Sequence, residues 1–322
     1  MGSVTRRVSR EMHGKARQMA EIVAAKDLDK TIDAILGEWF RKPAPPVLYH
    51  YTSSKAVQSI LGSREIWLTD RRHAQGDPGE IVHADEMIAE AIVDAREGGS
   101  ALWSAACERA ARKLERAKLA SAFDVFIGCF TPERDGEQHW LAFGQDSFAI
   151  GFRTLSEELI VPQLSYGLFQ VEYDATALRS RLDATHARLR TLARETKASG
   201  RRAEVLLAGA LLRASGVASA VHKPAAFAPQ KEWRLLGLAK PDSATGMIEL
   251  AFELGGKRRV KMPLRPHQAR PEVHEILAGP ACSPQLINEM RAFLDAKGYV
   301  DVPVRRSCAE PAPRSAPALN HT

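Results

Sequence analysis

A short apolar strand that runs directly into a helix is the feature that most constrains the fold of this chain. The strand predicted at 47–51 begins with apolar residues and leads into the run His50-Tyr51-Thr52-Ser53. Residues 54–62 continue with apolar side chains at helical spacing. Ser53 is a suitable N-cap because its hydroxyl can accept a hydrogen bond from a free backbone N–H, and Gly62 is a suitable terminator. A second apolar strand follows at 65–69. The pattern therefore predicts a strand, a helix and a strand in close succession, with His50 at the end of the first strand.

The remaining pattern predicts an α+β fold, in which strands cluster and helices flank or interrupt them. No regular βαβ repeat, Gly-rich dinucleotide fingerprint or phosphate-binding loop occurs in the sequence. Further strands are predicted at 125–130, 148–152, 169–173, 231–238, 247–254, 258–263 and 272–277, and further helices at 1–42, 80–96, 101–120, 176–196, 202–214 and 284–297. The strands at 247–254 and 258–263 are expected to form a hairpin, a polar loop is expected at 132–138, and Ser283 is the expected N-cap of the last helix. In the first helix the expected apolar side consists of Ile22, Val23, Leu28, Ile32, Ile35, Leu36 and Phe40.

Composition shifts along the chain suggest three parts. Residues 1–45 form an N-terminal helical extension that ends in a cluster of prolines, where extended backbone is favoured. Residues 46–306 form the main domain, interrupted by a helical insertion at about 176–215. Residues 307–322 are rich in Pro, Ala and Ser and are predicted to be a disordered tail.

The bulk composition indicates an ordinary globular protein. The chain has 322 residues, of which 45% are hydrophobic and 26% are charged. No apolar run reaches the ~18 residues needed to span a bilayer, and the N-terminus lacks the apolar stretch of a signal peptide, so a cytoplasmic location without membrane contact is expected. The four cysteines (Cys107, Cys129, Cys282 and Cys308) are scattered, which favours reduced thiols over a disulfide framework. The net charge of +6 permits a nucleic-acid partner, but the basic residues are spread over several helices and alternate with acidic ones.

Two polar residues at strand positions are the leading candidates for chemistry. His50 could hold a ribose hydroxyl, or it could be a structural histidine that is bonded to a backbone carbonyl. Glu232 lies in a predicted apolar strand, where a buried carboxylate must be paired or functional. It could form a salt bridge with Arg234 or Lys231, or it could bond a ribose 2′-hydroxyl and stabilise the positive charge that develops when a nicotinamide bond breaks.

Several other side chains could support such a site, and each has a simpler alternative. Lys223 could meet a phosphate or be an exposed loop lysine. Trp140 could stack on a ligand ring or pack in the core. Arg71 and Arg72 could contact a pyrophosphate or be solvent-exposed charges. A zinc site is not expected, because the histidines and acids lack ligand spacing, and no Gly-x-Ser-x-Gly nucleophile motif is present.

A series of short motifs resembles the DUF2971 family, a bacterial domain of unknown function. The resemblance covers roughly 47–306 and depends on the order and number of the motifs. The motifs are Leu48-Tyr49-His50-Tyr51-Thr52-Ser53, Ile66-Trp67-Leu68-Thr69-Asp70, Asp77-Pro78-x-Glu80, Cys129-Phe130-Thr131 with Trp140, Ala149-Ile150-Gly151-Phe152, Lys223-Pro224-Ala225-Ala226-Phe227 and Glu232-Trp233-Arg234-Leu235.

The family is similar to the ADP-ribosyltransferase fold, so the resemblance implies a split β-sheet core and an NAD site in three parts. His50 would supply the first part and Glu232 the third. The middle part would fall near Trp67 to Thr69, where the usual Tyr or Ser-Thr-Ser is absent. In some transferases a Gln two residues before the Glu, here Gln230, favours amide acceptors. The implied catalytic residues are Glu232 and His50, and the implied NAD-binding residues are Tyr51, Thr52, Trp67, Thr69, Arg72, Trp140, Lys223, Gln230 and Arg234.

Two main hypotheses for function follow. The first is an NAD-dependent ADP-ribosyltransferase or NAD glycohydrolase that uses NAD as substrate without a metal and acts on a protein or nucleic-acid acceptor. A bacterial toxin or a phage-defence effector would have such an activity. The second is a non-catalytic module that keeps the fold and binds a protein partner through its N-terminal helices. A nucleic-acid-acting enzyme is a third reading, supported by the charge alone.

Overall fold

The structure is a computed structural model that describes residues 2–38, 44–71, 78–122, 125–153, 165–238, 251–254, 256–264 and 272–311. Within these ranges the helices are α1 (Gly2–Gly37), α2 (Ser54–Ser63), α3 (Pro78–Ala95), α4 (Ala101–Ala122), α5 (Glu137–Phe143), α6 (Ala175–Glu195), α7 (Gly200–Val221) and α8 (Pro284–Ala296), with a 3₁₀ helix at Ala225–Gln230. The strands are β1 (Val47–Thr52), β2 (Glu65–Asp70), β3 (Val125–Phe130), β4 (Phe148–Arg153), β5 (Ser165–Gln170), β6 (Trp233–Leu238), β7 (Ala251–Leu254), β8 (Lys257–Pro263), β9 (Val273–Ala278) and β10 (Val304–Arg306). The predicted α+β class is confirmed.

The chain divides into two compact units. The first contains the described residues of Met1–Arg41, Ile81–Phe123 and Ala175–Ser219, and it is helical. The second contains those of Lys42–Glu80, Asp124–Asp174 and Ala220–Thr322, and it holds all the described strands. The N-terminal arm and the segment predicted as an insertion thus belong to the same unit.

The helical unit is held together by an apolar stripe on α1 and by ion pairs. Ala25, Leu28, Ile32 and Ile35 are buried at spacings of three and four, as expected for a helix with one apolar side. Val23 was expected on that side, but it is 53% exposed, so this detail was wrong. Phe40 lies outside the described residues. In the same unit α6 packs against α1 and α4.

One helix of the described residues, α7, is long and apolar enough to cross a membrane by length and composition. Most of it is buried inside the structure, 72% of the apolar window. A buried core helix of a globular protein has the same composition, so this feature is weak evidence for a membrane span.

The second unit contains two sheets. In the four-stranded sheet the order is β1-β4-β9-β10, and in the six-stranded sheet it is β5-β6-β3-β2-β8-β7. A large apolar cluster contains residues of both sheets together with α2 and α8, among them Leu48, Leu68, Phe130 and Ile276. Among the described residues, an isolated bridge between Tyr49 and Thr131 joins the two sheets, and their backbone groups exchange hydrogen bonds of 2.7 and 3.0 Å.

Most of the predicted elements are confirmed, including both predicted caps. Ser53 accepts a hydrogen bond from the Ala56 N–H, and Ser283 caps α8 in the same way. Gly62 was the wrong terminator, because α2 continues past it and ends at Arg64, whose φ of 60° is left-handed. The hairpin β7–β8 is also present.

Several local predictions were wrong where polar composition concealed regular structure. The polar loop expected at 132–138 ends at Gly136, and the short helix α5 that follows was not predicted. The strand expected at 169–173 begins at Ser165. The strand expected at 231–238 begins only at Trp233, after a 3₁₀ helix that the pattern did not indicate. β10 was not predicted, and β9 pairs with it in parallel.

The start of the segment predicted as a tail is bonded to the second unit. Ser307 Oγ and the Cys308 N–H each lie 2.6 Å from Asp135, on Oδ1 and Oδ2 respectively. Residues 312–322 lie outside the described residues.

Candidate functional site

The candidate site is built where β3 changes neighbours. Through its first half β3 pairs with β2, where Thr69 opposes Ile127, and this pairing ends before Cys129. Just past its end, β3 meets β1 through the bridge from Thr131 to Tyr49. Along its whole length the other side of β3 pairs with β6. The end of β3 therefore lies between β1, which carries His50, and the start of β6, which Glu232 precedes.

His50 lies beside the part of β3 at which the pairing with β2 has ended. Its Nδ1 lies 2.9 Å from the carbonyl oxygen of Cys129, and its ring centroid is 5.4 Å from that of Phe130. Burial lowers the pKa of His50 below its usual value, so the imidazole is neutral at neutral pH. Since a carbonyl oxygen only accepts, Nδ1 carries the proton and Nε2 is an acceptor. The structural role considered for His50, a bond to a backbone carbonyl, is therefore present, and Nε2 keeps the capacity to accept a hydrogen bond from a ligand hydroxyl.

Glu232 is a buried carboxylate held by two cations. It is 6% exposed; Arg234 Nε donates to Oε1 over 2.9 Å, and Lys223 Nζ lies 2.7 Å from Oε2, at ion-pair distance but without hydrogen-bond angles. Burial by itself would raise the pKa of Glu232, but Arg234 and Lys223 lower it to about 2. The carboxylate is therefore ionised at any physiological pH.

The cations have further partners of their own. Arg234 Nη1 donates to the carbonyl oxygen of Ala220 over 2.6 Å. Lys223 Nζ donates to Gln230 Oε1 over 2.8 Å and lies 5.2 Å from the centre of the Phe227 ring. Of the two salt-bridge partners considered for Glu232, Arg234 is the one observed. Lys231 instead pairs with Glu133 at 2.6 Å.

Cys129 contacts both candidate catalytic residues. Its carbonyl oxygen bonds to His50, and its thiol lies beside the carboxylate of Glu232. Burial, followed by the charge of Glu232, raises the pKa of this thiol far above its usual value, so it is not a thiolate nucleophile. Cys129 thus links His50 and Glu232 without itself being reactive.

Tyr51 and Trp140 lie in a small apolar cluster, together with Tyr49, Ala149 and Leu277. The Tyr51 hydroxyl is 3.0 Å from the carbonyl oxygens of Glu133 and Arg134, and it accepts from the Gly136 N–H over 3.1 Å. Trp140 is 1% exposed and donates from Nε1 to Asp135 over 2.7 Å. Because side chains alternate along β1, Tyr51 projects to the opposite face of that strand from His50, whereas Thr52 shares the face of His50.

The proposed middle part of the site is placed differently from its expected position. Trp67 and Thr69 lie on β2, and Trp67 is opposite Lys261 of β8. Between His50 and Glu232 the chain instead contributes residues 129–131, at the end of β3. Thr131 donates from Oγ1 to the carbonyl oxygen of Gln230 over 3.0 Å, which ties β3 to the segment before Glu232. Arg72 lies outside the described residues, and Arg71 is buried.

Sequence reasoning missed Thr131 and His139 as members of this region. The ring of His139 stacks on Tyr51 at 4.8 Å, and burial lowers its pKa. A signal was available for Thr131, because it is the first polar residue after the apolar run of β3. His139 gave no comparable signal, since it lies in the short helix α5, which the sequence pattern did not indicate.

Metal ligands do not cluster in the part of the chain that the structure describes, where no group of three or more His, Cys, Asp or Glu side chains could hold a metal ion. Comparison with known proteins finds no matching family model, no matching curated protein and no matching solved structure. Function must therefore be inferred from the residues of this chain.

The buried ion cluster and the hydrogen-bond acceptor of His50 lie on either side of Cys129. Glu232 carries one negative charge and Lys223 and Arg234 carry two positive charges, so the ion cluster has a net positive charge. The field of such a buried cluster is screened less than that of surface charges.

Proposed function

We propose that this protein cleaves NAD, as an NAD glycohydrolase or an ADP-ribosyltransferase, with an ADP-ribosyltransferase-like split sheet as its core. In this reaction the bond between C1′ of the ribose and the nicotinamide nitrogen breaks, and neutral nicotinamide leaves with the electron pair. Water or an acceptor group then bonds to C1′ and loses a proton.

The observation that carries the proposal is the convergence of His50 and Glu232 on Cys129. The two residues are far apart in the sequence, and the strand order brings them to either side of the end of β3. The sheets separate at the same place, because β3 leaves β2 before it reaches β1. A ligand held beside this separation would meet both side chains.

Each residue has a defined role in the proposed reaction. Glu232 remains ionised because of its lowered pKa, so it acts as an electrostatic stabiliser of the ribose cation and not as a proton donor. His50 Nε2 accepts a hydrogen bond from a ribose hydroxyl, and the hydrogen bond from Nδ1 to the Cys129 carbonyl oxygen fixes the ring. Lys223 and Arg234 orient Glu232 and attract the pyrophosphate.

Nicotinamide release from NAD tests the proposal. We expect turnover by the wild-type protein and a loss of about 10²-fold or more in Glu232→Gln, in line with the removal of one transition-state contact. His50→Asn is the second variant. The Asn amide can still donate a hydrogen bond to the Cys129 carbonyl oxygen, but it lacks the ring nitrogen that would accept a hydrogen bond from the ribose hydroxyl. Turnover equal to wild type in Glu232→Gln would reject the role assigned to this carboxylate.

Glu275→Gln is the matched control for Glu232→Gln. Glu275 is also a buried carboxylate, 2% exposed, and it accepts from Arg134 Nε over 2.7 Å and from the Tyr49 hydroxyl over 2.8 Å. It belongs to the four-stranded sheet. A loss of stability without a loss of specific activity in Glu275→Gln would show that damage to a buried ion pair does not by itself stop turnover.

A second candidate function is a non-catalytic module that binds a protein partner. The specific observation in its favour is the low exposure of Glu232, together with the engagement of both of its oxygens by cations. A carboxylate in this state stabilises the fold without any ligand. Calorimetry distinguishes the two functions: absence of heat from NAD titration, combined with retention of a protein partner that is lost when α1 is altered, would favour the module.

A further inference from the structure

The outer part of the six-stranded sheet carries an aromatic ring among basic side chains. In the register of β2 and β8, Trp67 is opposite Lys261 and Thr69 is opposite Arg259. Paired residues project to the same face of a sheet, so these four side chains share one face. Ile66, Leu68, Val260 and Met262 point the other way and are buried in the apolar cluster of this unit. We call the Trp67, Arg259 and Lys261 side chains the β2–β8 platform.

The side chains of the platform are partly exposed to solvent. Trp67, Thr69 and Arg259 are each partly exposed, and the Lys261 side chain is 50% exposed. The guanidinium carbon of Arg259 lies 5.8 Å from the centre of the Trp67 ring, within the range of a cation–π contact. An aromatic ring partly open to solvent with a guanidinium beside it is a suitable stacking surface for a planar base.

Charge on this face selects for an anion. Alternation along β8 places Lys257, Arg259 and Lys261 on the platform face, and the acidic residue of the facing strand is Glu65. The contact from Lys261 to Glu65 is 3.9 Å long between partly exposed side chains, so it does little to neutralise the lysine. Among these four residues, positive charges outnumber negative ones by three to one.

We propose that the β2–β8 platform binds single-stranded nucleic acid, with one base stacked on Trp67 and neighbouring phosphates on Lys261 and Arg259. The combination of an aromatic ring with flanking cations on a sheet face fits a polymer that alternates planar bases and phosphates. A duplex hides the faces of its bases, so it fits this surface less well. The proposal holds whether or not the protein cleaves NAD, because none of the three platform residues holds Glu232 or His50.

Fluorescence anisotropy with labelled 20-nucleotide oligo-dT and oligo-U tests the proposal at several salt concentrations. We expect Trp67→Ala to weaken binding by about tenfold, as loss of one stacked base does, and Trp67→Phe to restore most of the affinity. Lys261→Glu should weaken binding to all sequences and reduce the slope of log affinity against log salt. A duplex of the same length should bind less tightly.

Lys297→Glu provides the matched charge control. Lys297 is exposed at the end of α8, and its substitution changes the net charge by the same amount as Lys261→Glu does. The proposal is overturned if Lys297→Glu weakens binding as much as Lys261→Glu, which would indicate attraction by overall charge. It is also overturned if Trp67→Ala binds as wild type does. Competition by poly-glutamate together with an unchanged Trp67→Ala affinity would identify an acidic protein as the partner instead.

Discussion

Glu232→Gln tests the physical basis of the buried ion cluster. The substitution keeps the shape of the side chain but removes the charge that Arg234 and Lys223 share. Both cations are nearly inaccessible to water, with side-chain exposures of 6% for Arg234 and 10% for Lys223. The variant would therefore leave two buried positive charges without a counter-charge, and we expect it to be strongly destabilised.

The magnitude follows from two independent arguments. The pKa of Glu232 falls from 4.5 to about 2 in the folded protein, which corresponds to about 3 kcal/mol of stability at neutral pH. Removal of one partner of a buried ion pair costs about 3–5 kcal/mol. We therefore expect Glu232→Gln to lower the free energy of unfolding by about 3 kcal/mol at pH 7.

The pH dependence has a defined sign. A carboxyl whose pKa is lowered on folding contributes its full stability above its unfolded pKa of 4.5, and the contribution is lost as the pH falls toward 2. By pH 3 about 2 kcal/mol of it has gone. Since Gln does not titrate, the difference in stability between wild type and variant should narrow by the same amount.

Urea unfolding of both proteins at pH 7, 4 and 3, followed by circular dichroism, measures this difference. Glu133→Gln is the control, because Glu133 also pairs with a lysine, but the side chains are 37% and 62% exposed, so its loss should cost about 1 kcal/mol or less. A deficit for Glu232→Gln as small as that of the control, or one that stays constant down to pH 3, would refute the reasoning.

Two further predictions concern residues away from the cluster. Both ring nitrogens of His186 are buried without hydrogen-bond geometry to any described neighbour, and burial lowers its pKa from 6.5 to about 4. The unfolded chain therefore takes up a proton at higher pH than the folded one, and about 2 kcal/mol of stability should be lost between pH 7 and 5. His186→Leu should remove that loss in thermal melts at the two pH values, and an unchanged pH dependence would contradict it. In Gly151→Ala the new Cβ would lie 2.9 Å from the Tyr49 ring. The hydrogen bond from the Tyr49 hydroxyl to Glu275 holds this ring in place. We expect a loss of about 1–3 kcal/mol in urea unfolding, and a near-neutral result would show that the ring can move.

The secondary structure was predictable where apolar side chains repeat with a clear period. The strand of β3 is a near-continuous apolar run and the stripe on α1 recurs at helical spacing, and both were recognised from these patterns. Prediction failed at α5 and at the 3₁₀ helix Ala225–Gln230, where the helices are short and carry little apolar periodicity. Local composition cannot reveal such elements, because tertiary contacts stabilise them.

The sequence indicated candidate residues for a site but not how they would be arranged. His50 and Glu232 stood out because a polar side chain next to an apolar strand must be paired or functional. The sequence could not indicate that residues 129–131, and not Trp67 to Thr69, lie between them, since this depends on which strands become neighbours.

The sequence by itself determined the α+β class, the caps at Ser53 and Ser283, and the presence of polar side chains that burial would make costly. Only the tertiary structure decided what those side chains do. Pairing of β3 with β6 sets Glu232 between Arg234 and Lys223, and the end of the pairing with β2 leaves the Cys129 carbonyl to His50. The reason is physical: periodicity along a chain records which face of an element is apolar, whereas strand order and the partners of a buried charge depend on contacts between residues distant in sequence.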